Sequence, residues 1–358
     1  MHKYDYSFLK DYKITSKLIG LSNVIYESNN KSNNLKSKNP DYFNVLHEKA
    51  IIESTVSSSR IEGIETSVKR QKELLIENKK PLNHNEEELS GYKDAIVFIS
   101  EHYDEIEINE KTIKHLHNLL MYYTTNQKGE YKKTDNEITI RYEDGSSKTL
   151  FETVSYKDTK KHMSDLIHAY KDACKDDEIN KMLLIPCFII DFLAIHPFTD
   201  GNGRISRLLT LLLLYKEGYD VGKYISYEKM IEEYKWNYYE EINKSQVDWH
   251  NNKNDYSYYI VFHFQMLYRC YKEINQRIDD LYINDKKISK KERIKNVIAE
   301  SVIPISKADI QDKLNDISIT TIEKELSDLL KENKIKKIGD RKYAKYIWLD
   351  NDWYFIFK

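Results

Sequence analysis

Apolar residues recur at helical spacing along most of this chain, and strand-like alternation is confined to two short regions. The segment 180–195 is apolar almost throughout, which predicts a buried helix. We expect the first predicted helix to end at Gly63, because glycine readily adopts the left-handed conformation that closes a helix. The predicted fold is mainly α. The helical pattern covers residues 47–60, 86–100, 111–123, 157–171, 180–195, 204–216, 226–244 and 256–281.

The first strand-like region lies between residues 129 and 154. Residues 137–142 alternate apolar and polar side chains, Asp144 and Gly145 follow as a turn, and residues 148–151 continue as a second strand. Two such runs around an Asp-Gly pair are typical of a β-hairpin. We therefore predict a hairpin that interrupts the helical part of the chain.

The second strand-like region is at the C-terminus, where it follows three short helical patterns. Three helices and a small hairpin are typical of a winged helix-turn-helix. The charged run 284–293 is the predicted linker to it. The helices are expected at residues 290–301, 307–314 and 320–333, and the strands at 335–338 and 343–348, joined through Gly339 and Asp340.

These elements predict four parts along the chain. They are an N-terminal helical region (1–110), a helical core (111–245), a helical extension and linker (246–285) and the winged helix-turn-helix (286–358).

Composition limits the classes of protein that are possible. The chain has 358 residues, of which 40% are hydrophobic and 32% charged, which is typical of a globular protein. The net charge of −2 provides no overall attraction to nucleic acid or to an anionic membrane. The longest apolar run, 208–215, is too short to span a bilayer, and no signal peptide is evident. Together with three widely spaced cysteines, expected to be free thiols, these features predict a cytoplasmic protein without a membrane partner.

The segment between two apolar helices carries the candidate chemistry. Gly201 and Gly203 form a turn that leads into a helix N-terminus, where free N–H groups and the helix dipole favour a phosphate. Arg204 and Arg207 are three residues apart, so both can reach one phosphate-bearing ligand. This combination predicts an anion site at the start of the helix.

Two further residues extend that site. Asp200 offers an oxygen ligand for Mg²⁺ beside the phosphates, and His196 offers a neutral imidazole that can accept a proton near pH 7. Each residue alone has an ordinary structural explanation, such as a turn or a solvated helix face. Their order along the chain favours catalysis over packing.

Residues 196–207 are HPFTDGNGRISR and resemble the Fic family pattern HxFx(D/E)GNGRxxR. The resemblance covers about residues 40–245. It implies a Fic-type helical core with a β-hairpin flap. It also implies an enzyme that uses Mg²⁺ and transfers AMP from ATP to a Tyr, Thr or Ser hydroxyl of a target protein. It also implies His196 as the general base, Asp200 as the Mg²⁺ ligand and Phe198 as the anchor of the loop. Nucleotide contacts are implied for Gly201, Asn202, Gly203, Arg204, Ile205, Ser206 and Arg207.

The segment from Ser58 to Gly63 (SSRIEG) resembles the inhibitory pattern (S/T)xxxE(G/N) of the same family. The resemblance implies that Glu62 pairs with Arg207 and takes the place of the γ-phosphate, while Ser58 steadies the helix end. The resting protein would then be an autoinhibited enzyme that also labels itself once released. The alternative is an ordinary helix end with a solvated glutamate and a stop glycine.

Two more segments are similar to family features but depart from them. The hairpin is similar to the flap that pairs with an extended target chain, with residues 138–140 as the pairing edge. Residues 129–132 (GEYK) stand where the family usually has GxxR. Residues 231–239 (IEEYKWNYY) are similar to the family segment IEENRxxYY, which implies that Tyr238 and Tyr239 help form the nucleoside pocket.

Alternative functions stay open at this point. A Fic-fold enzyme could use another donor or remove AMP, because the loop recognises phosphates and not the base. A DNA-binding regulator is the rival class, but the presumed recognition helix at 320–333 carries four acidic residues against two lysines. Its basic wing keeps nucleic acid open as a partner. The favoured partners are a target protein with a hydroxyl side chain and a second copy of the chain.

Overall fold

The computed structural model describes residues 2–124, 128–141, 147–285, 290–301, 304–339 and 344–349. The fold is mainly helical, at 66% helix, with a small antiparallel hairpin. None of the described helices combines the length and the apolar character needed to cross a bilayer.

The helices and strands are numbered in chain order. The helices are α1 (Ser16–Lys36), α2 (Pro40–Ile61), α3 (Val68–Leu75), α4 (His84–His102), α5 (Glu110–Leu120), α6 (Tyr156–Lys175), α7 (Lys181–Ile195), α8 (Asn202–Lys216), α9 (Tyr227–Glu233), α10 (Lys235–Gln246), α11 (Ser257–Asp285), α12 (Lys290–Glu300), α13 (Lys307–Lys313) and α14 (Ile319–Lys331). The strands are β1 (Glu137–Arg141), β2 (Ser147–Glu152), β3 (Ile305–Ser306), β4 (Ile335–Ile338) and β5 (Lys345–Trp348).

Helices α7 and α8, joined by a short loop, lie at the centre of the larger core. Every residue of α7 after Lys181 is buried, as the apolar sequence predicts. The Asn180 side chain accepts from the N–H of Met182 and so caps the start of α7. Helices α6, α10 and α11 pack around α7, while α2, α4 and α5 pack around α8. The loop between α7 and α8 is therefore held at both ends by buried helices.

The hairpin agrees with its predicted position. Strands β1 and β2 pair antiparallel, with Ile138 opposite Phe151 and a register shift between Ile138 and Thr139. The predicted turn at Asp144 and Gly145 lies outside the described residues.

Several boundaries differ from the prediction. The single helix expected over 226–244 is two helices, because the chain leaves the helical conformation at Tyr234 (φ −116°, ψ 33°). The expected linker 284–293 is largely helical, since α11 continues to Asp285 and α12 begins at Lys290. Helices α1 and α3 and strand β3 were not predicted as separate elements.

The C-terminal elements have a core of their own. Helices α12 to α14 pack against a three-stranded antiparallel sheet with the order β3-β5-β4. Ser306 and Asp309 form a reciprocal capping box at the start of α13. The two strands of the predicted hairpin correspond to β4 and β5, and β3 adds a third strand to β5.

A glycine permits the close contact of α4 with α5. A Cβ atom on Gly91 would lie 1.9 Å from the carbonyl oxygen of Leu120, whereas one on Gly20 of α1 would meet nothing within 4 Å. Because α4 and α5 both pack against α8, their close contact helps to position the loop between α7 and α8.

We expect Gly91→Ala to lower the free energy of unfolding by about 1–3 kcal/mol, because backbone atoms must move apart. Gly20→Ala, also in a helix but exposed, should raise it by about 0.5–1 kcal/mol through the better helix propensity of alanine. Urea denaturation of both variants measures the difference. Equal stabilities would contradict the close contact.

Candidate active site

The loop between α7 and α8 is shaped by two left-handed residues. His196 ends α7 with φ 52°, and its N–H donates to the Phe192 carbonyl (3.0 Å). Gly201 precedes α8 with φ 80°, where a Cβ atom would lie 3.0 Å from the side chains of Leu120 and Met121. Glycine is needed at 201 because both the conformation and the space exclude a side chain. A non-glycine residue at positive φ is uncommon and is often found at functional sites.

Asn202 closes the loop on itself. Its side-chain oxygen accepts from the Phe198 N–H (2.9 Å) and its amide donates to the Phe198 carbonyl (2.8 Å). Both polar atoms of this buried side chain are therefore used within the loop. Only the backbone N–H of Asn202 is left for a ligand, together with those of the next residues of α8, since the first turn of a helix lacks internal acceptors.

His117 of α5 holds the loop from the other side. Its ring stacks on Phe198, with centroids 3.8 Å apart. Nδ1 accepts from the Gly129 N–H (2.9 Å), so Nε2 carries the proton and donates to the Asp200 carbonyl (3.2 Å). Burial lowers the pKa of His117 to about 4, which keeps the ring in the neutral form that these two contacts require.

His196 faces the cavity at the start of the loop. Burial and then the positive charge of Lys132 lower its pKa to about 4, so the imidazole is neutral at pH 7. Nδ1 lies 3.3 Å from the Leu193 carbonyl oxygen, which can only accept. Nδ1 therefore carries the proton, and Nε2 keeps the lone pair that a general base needs.

Lys132 is a buried lysine that ties the hairpin to the end of α7. Its ammonium donates to Asn136 Oδ1 (2.7 Å), Thr153 Oγ1 (2.8 Å) and the Ile195 carbonyl (3.1 Å). Its backbone N–H donates to the Pro197 carbonyl (2.8 Å). Burial lowers the pKa of Lys132 to about 8. The base of the hairpin is thereby fixed relative to His196.

Arg207 is buried against the C-terminal end of α2. Nε donates to Ser58 Oγ (3.0 Å), while Nη2 donates to the Ser58 carbonyl (3.1 Å) and to Glu62 Oε1 (2.7 Å). The remaining Nη1 has no hydrogen-bond partner among the described residues. The expected contact of Glu62 with Arg207 is thus present, and Ser58 contacts Arg207 directly.

Glu62 also covers the start of α8. A Cβ atom on Gly203 would lie 2.5 Å from Glu62 Oε1 and 3.5 Å from Arg207 Nη1. The carboxylate therefore lies against the helix N-terminus, where free N–H groups and the helix dipole favour an anion. Gly63, with φ 80°, follows Glu62 in the left-handed conformation that ends the helical path, and Ile64 after it also lines the cavity.

Arg204 lies between two carboxylates. Nη2 is 3.2 Å from Asp200 Oδ2 and 3.3 Å from Glu88 Oε1, and Nη1 is 3.3 Å from Glu88 Oε2. Arg204 is 2% exposed, and its Nε and Nη1 have no hydrogen-bond partner within the described part of the chain, so the contact of Nη1 with Glu88 is an ion pair only. Burial raises the pKa of Glu88.

His196, Asp200, Arg204, Arg207 and Glu62 line one cavity of about 800 Å³, a size typical of small-molecule sites. It is lined by the loop and the first turn of α8, by Glu62 and Glu88, by Tyr239 of α10, and by hairpin residues. The hairpin contributes Ile138, Thr139 and Leu150 to its wall. The structure thus brings the loop, the segment that contains Glu62 and the hairpin together.

Three residues that were expected to contact the nucleotide have buried side chains. Ile205 is completely buried in the core, and Ser206 Oγ donates to the Gly203 carbonyl (2.7 Å), so both side chains support the helix. Tyr238 is 1% exposed and packs on Tyr259 and Phe262, and it also lines the cavity beside Tyr239. Both α8 residues lie on its core-facing side, which a linear motif does not reveal.

Tyr239 is placed differently from its neighbour. Its hydroxyl donates to the Ile61 carbonyl (3.1 Å) at the end of α2, and its ring remains at the cavity wall. Glu88, Lys132 and His117 are site residues that sequence analysis missed. Lys132 was noted only as a departure from a pattern, and no local signal marks the other two.

Comparisons with known proteins agree with this geometry. Residues 107–214 match the Fic/DOC family, so the chain contains a Fic/DOC family domain. No curated protein matches the chain.

Solved structures share the fold. A Fic family protein from Desulfovibrio desulfuricans G20 is 18% identical with a TM-score of 0.60, covering 95% of this chain and 98% of that one. A Fic domain containing signaling protein from Bacteroides thetaiotaomicron VPI-5482 is 21% identical with a TM-score of 0.58, covering 70% and 94%. Fic-1 from C. elegans is 15% identical with a TM-score of 0.51, covering 74% and 72%. At these identities the likeness concerns the fold alone.

We expect Asn202→Ala to lower the free energy of unfolding by about 1–3 kcal/mol, because the buried Phe198 N–H loses its acceptor. The exposed Asn237 of α10 supplies the control, and Asn237→Ala should change stability by less than about 0.5 kcal/mol. Chemical denaturation of both variants measures the effect. Similar values for the two would show that the loop closure contributes nothing to folding.

Proposed function

We propose that this protein is a nucleotidyl transferase that moves AMP from ATP to a hydroxyl group of a target protein. The observation that carries the proposal is the position of the neutral His196 beside the N-terminus of α8 and its two buried arginines, in a single cavity. The Fic/DOC family domain at residues 107–214 supports the same class of reaction.

In the proposed reaction, His196 Nε2 takes the proton of the target hydroxyl. The oxygen forms a bond to the α-phosphorus, and the bond from that phosphorus to the bridging oxygen of the β-phosphate breaks, so that pyrophosphate leaves. Negative charge that develops on the phosphates is stabilised by the free N–H groups of α8 and by Arg204 and Arg207. The contacts of Asn202 and His117 hold these groups in place before the substrate arrives.

Asp200 is the proposed ligand of Mg²⁺. Its side chain is 49% exposed at the edge of the phosphate site. Within the described residues, no cluster of three or more acidic, histidine or cysteine side chains could hold a metal ion. One carboxylate together with substrate phosphates suits Mg²⁺, which keeps several waters and rarely occupies an all-protein cage. When bound, the ion would neutralise phosphate charge and orient the leaving group.

We propose that Glu62 inhibits the resting enzyme. Its carboxylate pairs with Arg207 and lies over Gly203, in the space that suits a terminal phosphate. ATP must displace it or bind in another pose, because two anions cannot share the same donors. Tyr239 supports this state by binding the last turn of α2.

The target is proposed to bind along β1. In the described hairpin, β1 pairs only with β2, so its other edge is open to an extended chain. Ile138 and Thr139 would place such a chain beside His196, since all three line the cavity. A segment of the protein itself could be labelled in the same way.

Glu62→Gly should increase AMP transfer from Mg²⁺-ATP, onto the protein itself and onto targets in a lysate, on the order of tenfold or more. The change removes the anion that competes for Arg207. Glu65→Gly, the same substitution outside the cavity, is the matched control and should leave transfer unchanged. Radiolabel from the α-phosphate measures the rate, and the intact mass of the product identifies the group.

His196→Ala in the Glu62→Gly background should abolish transfer, because the hydroxyl loses its base. Transfer that persists in this double variant would refute the mechanism. A mass increase other than that of AMP would be consistent with the same class of transfer reaction but would identify a different donor.

We further propose that residues 286–358 form a separate winged helix-turn-helix domain, after a catalytic core at 111–245 and an extension at 246–285. Its separate core and its sheet order support this proposal. Glu323 of α14 pairs with Lys307, and Glu332, which directly follows α14, pairs with Lys291. The acidic surface of α14 favours a protein contact, including a homodimer, over DNA.

The intact protein should therefore not bind random duplex DNA tightly. A gel shift at several salt concentrations tests this expectation, since phosphate contacts make DNA binding weaken steeply with salt. Salt-sensitive binding in the submicromolar range would favour a DNA-binding regulator instead.

A further inference from the structure

Glu88 contacts the phosphate site through Arg204, and the proposed reaction assigns it no role. Glu88 belongs to α4 and precedes Arg204 by 116 residues in the chain. Its two carboxylate oxygens face the two Nη atoms of Arg204, each at 3.3 Å. Nη2 donates a hydrogen bond to Oε1, whereas Nη1 forms only an ion pair with Oε2. The carboxylate thus faces the guanidinium group at two points, through one hydrogen bond and one ion pair.

The two acids beside Arg204 differ in their surroundings. The side chain of Glu88 is 5% exposed and that of Asp200 is 49% exposed. Attraction between charges is stronger where water is excluded, so Glu88 is the stronger of the two partners. Asp200 Oδ1 already accepts from the Gly201 N–H (2.6 Å), which leaves Oδ2 as the oxygen shared with Arg204.

The backbone around Glu88 keeps its carboxylate in position. Leu89 and Tyr92, its neighbours on α4, are at most 1% exposed, and Gly91 allows α4 to approach α5 closely. Arg204 Nε and Nη1 have no hydrogen-bond partner among the residues described. The contact therefore orients the guanidinium without using all its donors.

We infer that Glu88 is a positioning residue that shares Arg204 with Asp200, so that a divalent cation can displace Arg204 from Asp200 Oδ2. The inference rests on the proposed function, in which Asp200 and the phosphates hold the ion. Without the carboxylate of Glu88, the buried guanidinium keeps Asp200 as its paired acid within the described structure. It would then close on Asp200 and compete with the cation for Oδ2.

The test measures binding of Mn²⁺, a paramagnetic substitute for Mg²⁺, by electron paramagnetic resonance. The protein carries Glu62→Gly and is saturated with α,β-methylene-ATP, which cannot transfer AMP. Glu88→Gln, which keeps the shape of the side chain, should weaken Mn²⁺ binding on the order of tenfold. Glu87→Gln is the matched control, because His84 lies 3.7 Å from Glu87 and 3.2 Å from Glu88, so both substitutions alter a contact with His84. It should leave Mn²⁺ binding unchanged.

A second substitution separates positioning from a general structural effect. Adding Arg204→Gln to Glu88→Gln removes the competing charge and should restore Mn²⁺ binding. If Glu88→Gln had instead misfolded the site, this second substitution would not restore binding. Glu88→Asp keeps the charge at a shorter reach and should give an intermediate affinity. Thermal unfolding and circular dichroism verify that each variant is folded.

Three results would overturn the inference: unchanged Mn²⁺ binding in Glu88→Gln, no restoration by Arg204→Gln, or no Mn²⁺ binding in the parent protein. The outcome is independent of transfer, because the nucleotide analogue does not react. A protein that shows the Glu88 effect but transfers no AMP from ATP would keep the inference and refute the proposed reaction.

Discussion

Two guanidinium groups are buried at the start of one helix, and the surrounding structure must compensate their charge. Arg204 is 2% exposed and Arg207 is 1% exposed. A buried charge is costly unless it is paired and hydrogen-bonded. The compensating groups come from three elements: α2 provides Ser58 and Glu62, α4 provides Glu88, and the loop before α8 provides Asp200. The packing of α2 and α4 beside α8 is therefore also an electrostatic requirement.

The same constraint links the resting protein to the proposed substrate. An arginine that is positioned to bind phosphate needs a negative partner when no nucleotide is bound, and Glu62 meets that need at Arg207. Exchange of one anion for another at this place changes the local charge little. In the proposed inhibition, one contact would have two consequences, because the carboxylate that satisfies the guanidinium would also exclude the phosphate.

The loop itself is held by neutral contacts. Asn202 closes it on Phe198, and His117 binds the Asp200 carbonyl in a fixed tautomer. Lys132 adds a cationic contact at the start of the loop, through the carbonyl of Ile195. A site whose donors are oriented in advance needs no reorganisation when charge develops during reaction. The rigidity of this loop thus comes from α5 and the hairpin as much as from its own sequence.

The sequence by itself determined the helical character, the hairpin and the position of the loop at 196–207. These depend on local periodicity and on a contiguous motif. The contact of Glu62 with Arg207 was also expected, because a second short motif indicated it. Neighbouring residues of one motif, such as Tyr238 and Tyr239, could not be separated, since periodicity alone does not decide which ring is enclosed by α11.

Only the tertiary structure decided which remote residues complete the site. Glu88 meets Arg204 across 116 residues, and His117 meets Asp200 across 83. No spacing rule relates positions so far apart, because their distance is set by how whole helices pack. Likewise, Ser206 could have faced the ligand or the core, and the burial of that side of α8 placed it on the Gly203 carbonyl. Local patterns determine the elements, and packing determines which side chains meet.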